Sequence, residues 1–229
     1  MFHAEAGALS QTGRLELAAL LLPEEQKRAT EFVFDDARDL HIVAHALLAR
    51  VLRPLVEGWP IAFSRNAFGK PELSPPQGNP NLRFNLTHTR GFVACAVTRG
   101  RDIGIDAERI DRSIEIDGIG RLVFAPAELE WLGARKGGAQ IEGFFALWTL
   151  KEAFIKALGQ GLSLPLQEIV FDVDRLQLVV AAGEDPAHWQ FARWSPTASH
   201  RLALAVRRTP GRDLPIAVEK IDPMTLSPR

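Results

Sequence analysis

An α+β fold built from two similar halves is predicted by three observations. Helical patterns come first and strand candidates follow, and this order occurs twice along the chain. With 46% hydrophobic and 24% charged residues the composition is globular, which excludes disorder and collagen-like repeats. A length of 229 residues suits one large domain or two small ones, with ample material for a core.

The elements follow in order. Pro23, Glu24 and Glu25 suit the first turn of a helix, with a proline whose N–H is not needed and acids at the positive end of the dipole. A second helix begins near Asp36, because Ala37, Leu40, Ala44, Leu47, Leu48 and Val51 recur on one face. Pro54, Gly58 and Pro60 stop it. The first third therefore reads as helical. A loop-like stretch follows, with Gly69, Lys70, Pro71, Ser74, Pro75, Pro76, Gly78, Asn79 and Pro80 close together. The apolar runs LRFNLT and GFVACAVTR, joined through Thr89, Arg90 and Gly91, predict a β-hairpin. DIGIDAE is a third strand. Helices are expected over about 114–123, 126–134 and 141–158, and then strands EIVFDV, LQLVVAA, WQFARW, RLALAV and LPIAVEK. The tail from Asp222 onward reads as a loosely held end.

Charge and cysteine content narrow the function classes. Lys plus Arg total 27 against 28 Asp plus Glu, a formal net charge of −1, so a nucleic-acid binder relying on a diffuse basic surface is not expected. The single cysteine, Cys95, forms no intrachain disulfide and no cysteine-based zinc site. The N-terminus lacks the pattern of a signal peptide, and no apolar run approaches the roughly 20 residues of a membrane span. The expected setting is the cytoplasm, with no membrane partner.

Three segments could carry chemistry. In Ile103-Gly104-Ile105-Asp106-Ala107-Glu108 a strand places the apolar side chains on one face and Gly104, Asp106 and Glu108 on the other. Two carboxylates on one face repel unless a cation or proton lies between them, and magnesium suits such a pair. Gly104 is expected to leave space there for a ligand. The same pattern also suits a wet, acidic strand edge. In Trp148-Thr149-Leu150-Lys151-Glu152-Ala153-Phe154-Ile155-Lys156, Glu152 and Lys156 share a helix face with Trp148. Glu followed by Lys at this spacing is a common surface pair, but this helix is apolar over most of its circumference and so is expected to be largely buried. Glu152 is then a candidate metal ligand or proton acceptor, and Lys156 a candidate phosphate contact. In Asn85-Leu86-Thr87-His88-Thr89-Arg90-Gly91, His88 and its hydroxyl neighbours suit a phosphate or an ordinary polar turn. Gly69-Lys70-Pro71, with Arg65 nearby, is a weaker basic loop. His41 and His45 share a helix face without a third ligand, and Cys95 lies among apolar residues as a packing group.

FGKPEL, FNLTHT, IGIDAE and WTLKEAFIKALGQGL, taken in this order, resemble the 4′-phosphopantetheinyl transferases, specifically the larger single-chain, surfactin-synthetase-activating type. The matching text runs from about Arg65 to Leu162, nearly half of the chain. The resemblance implies two α+β lobes in a pseudo-two-fold arrangement with the active site in the cleft between them. An N-terminal lobe, 1–101, would lie on the coenzyme A side, and a C-terminal lobe, 102–229, would carry the metal and catalytic residues. The implied reaction moves the 4′-phosphopantetheine arm of coenzyme A onto a serine of an acyl or peptidyl carrier protein, with magnesium, and releases adenosine 3′,5′-bisphosphate. Asp106, Glu108 and Glu152 are implied as metal ligands. Glu152 is also implied to take the serine proton, directly or through water, while Lys156 stabilises the pyrophosphate or the leaving group. Thr87 and His88 are implied to bind phosphates, and Lys70 and Arg65 to hold the nucleotide end. The family usually places basic residues around the second helix to grip the 3′-phosphate. Here Asp35, Asp36 and Asp39 interleave with Arg38, which leaves Arg38, Lys27 and Arg28 as candidates. The span from Ile110 to Phe124 is where the family commonly docks its carrier. A monomer is expected. The rival readings are a catalytically silent protein that binds coenzyme A or a carrier, and a purely structural domain.

Overall fold

The computed structural model describes residues 1–56, 61–74, 82–111, 114–161, 164–181 and 183–226. Of the residues singled out above, Gly58, Pro60, Pro75, Pro76, Gly78, Asn79, Pro80 and Leu162 lie outside this set, as do the last three of the tail.

One order of elements occurs twice. The first half runs β1 (Phe2–Glu5), α1 (Gln11–Ala18), α2 (Pro23–Glu31), α3 (Asp35–Leu52), a short hairpin β2 (Phe63–Arg65) and β3 (Pro71–Leu73), then β4 (Leu82–Thr89) and β5 (Phe92–Arg99). The second runs β6 (Ile103–Arg109), α4 (Ile116–Val123), α5 (Pro126–Gly133), α6 (Gly138–Leu158), a hairpin β7 (Ile169–Asp172) and β8 (Gln177–Ala181), then β9 (Trp189–Thr197) and β10 (His200–Arg207). A two-residue strand, β11 (Glu219–Lys220), returns to the first half's sheet. A 3-10 turn over Pro223–Thr225 follows and Leu226 is buried in the first half's core, so the tail expected to be loosely held is bound as far as Leu226. In each half the first strand pairs antiparallel with the last, and the last with the one before it. The sheets are ordered β11-β1-β5-β4 and β6-β10-β9. The longest helix of each half, α3 or α6, packs on its own sheet.

The α+β expectation holds, and the departures from it are local. The first third is not all helix. Residues 2–5 form a strand because β5 and β11 supply ladder partners far away in sequence, Phe2 opposite Cys95 on one side and Glu219 on the other. A four-residue run has no periodicity of its own to reveal this. Helix α1 went unpredicted; its start is marked by Ser10, whose hydroxyl accepts from the Gly13 N–H at 3.1 Å. Part of the loop-like stretch pairs as the β2–β3 hairpin. Of LPIAVEK only Glu219 and Lys220 form a ladder.

Among the described residues three cores hold the molecule. One lies between α3 and the first sheet, with Val43, Leu47, Leu52 and Val93 fully buried. A second lies under α6, with Phe144, Phe145, Leu150 and Phe154 as its large members. The third joins the halves, where Phe92, Ala94 and Ala96 of β5 meet Ile103 and Ile105 of β6 and Leu202 and Leu204 of β10. The apolar face of β6 therefore points at the first half and its other face at α6. Gly104 is on that second face, and the expectation that it leaves room for a ligand is corrected: a Cβ there would lie 2.0 Å from the Ala153 carbonyl oxygen and 2.3 Å from the Ala157 nitrogen. The missing side chain lets the α6 backbone press against the strand.

A second buried feature anchors α6 from behind. The Lys151 ammonium is 2.6 Å from Glu128 Oε2, and the two side chains are 2% and 1% exposed. Lys151 also donates to the carbonyls of Val123, Leu166 and Ile169. Glu128 accepts from the N–H groups of Ala125 and Phe171 at 2.8 and 2.9 Å. Every charge in this pair is compensated, which is the condition for tolerating it inside.

Candidate active site

The two halves meet along β4 and β6, which run side by side without a backbone ladder. Side chains of β4 replace that ladder. Asn85 Oδ1 accepts the Ile105 N–H at 2.8 Å, and the Thr87 hydroxyl accepts the Ala107 N–H at 3.3 Å. Residues 85 and 87 point the same way because a strand alternates its faces.

A cleft of about 410 Å3 opens at this seam, lined by Thr87, His88 and Thr89 of β4, Asp106, Ala107 and Glu108 of β6, and Trp148, Glu152 and Lys156 of α6. Alternation on β6 and the four-residue spacing on α6 bring these groups together. Lys156 Nζ is 2.6 Å from Asp106 Oδ1 and 3.3 Å from the Thr87 hydroxyl. The Trp148 indole N–H donates to Glu108 Oε1 at 3.2 Å. Asp106 is 4% exposed, and its Oδ2 is buried without a hydrogen-bond partner.

The electrostatics follow from three carboxylates facing one ammonium. Burial, then the charge of Asp106, raises the Glu152 pKa against the opposing pull of Lys156; Glu108 adds to the rise. The pKa of His88 is lowered by partial burial first and then by the positive charges of His45 and Lys156. The carboxylates do not converge into a closed cage: among the described residues no group of three or more His, Cys, Asp or Glu side chains is gathered for a metal. Lys156 and Trp148 hold two of the three. The chemistry of the donor set still fits a hard cation, because the orphaned Asp106 oxygen lies beside two further carboxylates in an all-oxygen set, and magnesium needs few protein ligands.

Thr87, His88, Asp106, Glu108, Glu152 and Lys156, all named from the sequence, therefore share one cleft. The other named residues are elsewhere. Lys70 directs its ammonium at the backbone carbonyls of Ile103 and Ala157, and burial lowers its pKa against the charges of Asp102 and Glu72. Arg65 is exposed and donates to the Gly69 carbonyl at 2.9 Å. Arg38 binds the carbonyls of Ala29 and Phe32 and the Asp35 carboxylate, so its guanidinium ties the α2–α3 corner. His41 and His45 both turn to Glu25, one to its carbonyl and one to its carboxylate. Cys95 is a packing residue: burial pushes its thiol pKa up to about 12.

Sequence reasoning passed over Asn85, although its place two residues before Thr87 was the available signal. It also passed over His200, which is buried against the Phe92 ring and reaches the Arg90 carbonyl across the halves at 3.0 Å. No local pattern marks that contact.

A doubled α+β fold thus carries at its seam an acidic cleft with one lysine, a donor set of carboxylate oxygens beside one ammonium. Residues 102–206 match the profile of the 4′-phosphopantetheinyl transferase superfamily. Over 156 residues the chain is 33% identical to the 4′-phosphopantetheinyl transferase HetI of Nostoc sp., covering 67% of this chain and 65% of that protein. It is 36% identical over 121 residues to the 4′-phosphopantetheinyl transferase gsp of Aneurinibacillus migulanus, covering 52% and 47%. It is also 33% identical over 211 residues to the human L-aminoadipate-semialdehyde dehydrogenase-phosphopantetheinyl transferase, covering 82% and 68%. The chain belongs to the 4′-phosphopantetheinyl transferase superfamily. It spans about half to two thirds of the length of these relatives. Among the described residues no helix is long and apolar enough to cross a membrane.

Proposed function

We propose that this protein transfers the 4′-phosphopantetheine arm of coenzyme A to a serine hydroxyl of an acyl or peptidyl carrier protein and releases adenosine 3′,5′-bisphosphate. The observation that carries the reading is the gathering of Asp106, Glu108, Glu152 and Lys156 with Thr87 and His88 at the seam. Breaking a pyrophosphate needs positive charge on both phosphates, and Lys156 stands where it can supply part of that charge. His88 and Thr87 border the same space and offer donors to phosphate oxygens. Asp106, Glu108 and Glu152 are the residues that would hold magnesium, which when bound supplies Lewis-acid stabilisation of the phosphates. Glu152 borders the same space and carries no hydrogen bond among the described residues. That suits the group that takes the proton of the attacking serine.

One chain supplies every residue of the cleft, so we read the working unit as a monomer, with 1–101 as the coenzyme A side and 102–229 as the metal side. Its one cysteine, buried and unbridged, suits the cytoplasm.

Chromatographic detection of adenosine 3′,5′-bisphosphate tests the reading. It is expected to form from coenzyme A only when an apo carrier is present, and not when the acceptor serine of that carrier is alanine. Release without any carrier would mean hydrolysis instead. Absence of release with every carrier class would leave a silent binder and overturn the proposal.

A further inference from the structure

The hairpin β2–β3 of the first half reaches across the seam to the catalytic elements of the second. Lys70 Nζ donates to the Ile103 carbonyl at 3.2 Å and to the Ala157 carbonyl at 3.1 Å. Ile103 stands three residues before Asp106 on β6, and Ala157 directly follows Lys156 on α6. One ammonium therefore bridges the two elements whose side chains make the 2.6 Å contact between Lys156 and Asp106. Asn66 adds a second tie, its Nδ2 donating to the Gly159 carbonyl at 2.8 Å. Its Oδ1 accepts from the N–H groups of Phe68 and Lys70, both at 2.9 Å, which fixes the turn that presents the lysine.

Two of the three acceptors, the Ala157 and Gly159 carbonyls, are the natural ones at the end of α6. The last carbonyls of a helix lack partners within it, and a cation there is favoured by the helix dipole. The approach is close, and the left-handed backbone at position 159 favours glycine. It has φ +69°, and a Cβ on it would lie 2.9 Å from both Asn66 Nδ2 and Lys70 Cδ. The cavity beside Lys70 is about 60 Å3. Both hydrogen bonds of the Lys70 ammonium go to backbone carbonyls, so its side chain serves the placement of β6 and α6.

We propose that Lys70 and Asn66 are positioning residues that hold β6 and the last turn of α6 in the placement on which the Asp106–Lys156 pair depends. This rests on the transferase reading above. It assigns Lys70 to the catalytic geometry rather than to the nucleotide, and predicts that small displacements here reach the reacting groups, since a misplacement of about 1 Å can cost on the order of 10²-fold in rate.

The test is steady-state kinetics with coenzyme A varied at saturating apo carrier, for the wild type, Lys70→Met, Lys70→Arg and Asn66→Ala, alongside thermal melts. Lys70→Met and Asn66→Ala are expected to lower kcat by about 10- to 100-fold. KM for coenzyme A should stay within about twofold, the sign of a loss confined to the transition state. Lys70→Arg, which keeps a cationic donor, should recover most of the rate. Asn66 is neutral, so a matching loss there has no explanation in phosphate charge. A raised KM with unchanged kcat in Lys70→Met would make the lysine a coenzyme A contact and overturn the inference. A lowered Tm with unchanged kcat per folded molecule would reduce both residues to simple braces and overturn it equally. A wild-type protein without turnover would remove the transferase reading and this inference with it, which separates the two failures.

Discussion

Replacing Asp106 with alanine is expected to lower the rate of carrier modification by at least about 10²–10³-fold while the protein stays folded. Asp106 is the point where the cleft's charges meet. Its Oδ1 holds Lys156 at 2.6 Å, and its Oδ2 is buried with no hydrogen-bond partner. The alanine variant loses a candidate ligand for the cation and the anchor of the lysine together. Stability responds differently. Lys156 is 30% exposed, so its ammonium can turn to water once its partner is gone. Removing one of three neighbouring carboxylates also relieves repulsion on Glu152. A Tm within about 4 °C of the wild type is expected, equivalent to roughly 1 kcal/mol in a chain of this size. Rate assays on the purified variant, paired with a melt, check both halves. If the variant modified the carrier at the wild-type rate, Asp106 would be a bystander on an acidic strand edge.

Replacing Glu128 with alanine should do the reverse and strike stability first. The carboxylate is the only formal charge opposing Lys151 in the buried pair, and both side chains are almost fully enclosed. Its loss leaves an ammonium inside the protein and frees the N–H groups of Ala125 and Phe171 that it had satisfied. Breaking one partner of such a pair costs about 3–5 kcal/mol. At roughly 2–4 °C per kcal/mol the melting temperature should fall by about 6–20 °C. A double replacement by apolar residues of similar size should recover only part of the loss: the unpaired charge is gone, but the N–H groups of Ala125 and Phe171 and the carbonyls that Lys151 held stay unsatisfied. A near-normal melt for Glu128→Ala would show that Lys151 finds water or sheds its proton more easily than its enclosure indicates.

The two variants mark what could be read from the sequence. Residues of the cleft were legible because each sits in a local pattern: alternation on β6 put Asp106 beside Glu108, helical spacing put Glu152 above Lys156, and a polar strand end carried Thr87 and His88. The doubled α+β order was legible for the same reason, since long helices and strands announce themselves by period. What stayed hidden depends on partners distant in the chain. Strand β1 exists through β5 and β11, and Glu128 meets Lys151 across two helices. The buried Asp39 pairs with Arg14, 25 residues earlier, where the sequence offered only an acidic helix start. Gly104 was misjudged because an absent side chain does not say what fills its place; here it is the backbone of α6. Lys70 lay in a loop-like run, and only the fold places the end of α6 against it.

Intact-mass spectrometry of an apo carrier protein, incubated with this protein, coenzyme A and magnesium, is the most direct test of the transferase reading. A mass gain of one phosphopantetheine unit, roughly 340 Da from its formula, is expected, and it should disappear when the divalent cation is chelated. An unchanged mass for acyl and peptidyl carriers alike, with coenzyme A bound tightly by calorimetry, would contradict it and leave a cleft that binds without transferring.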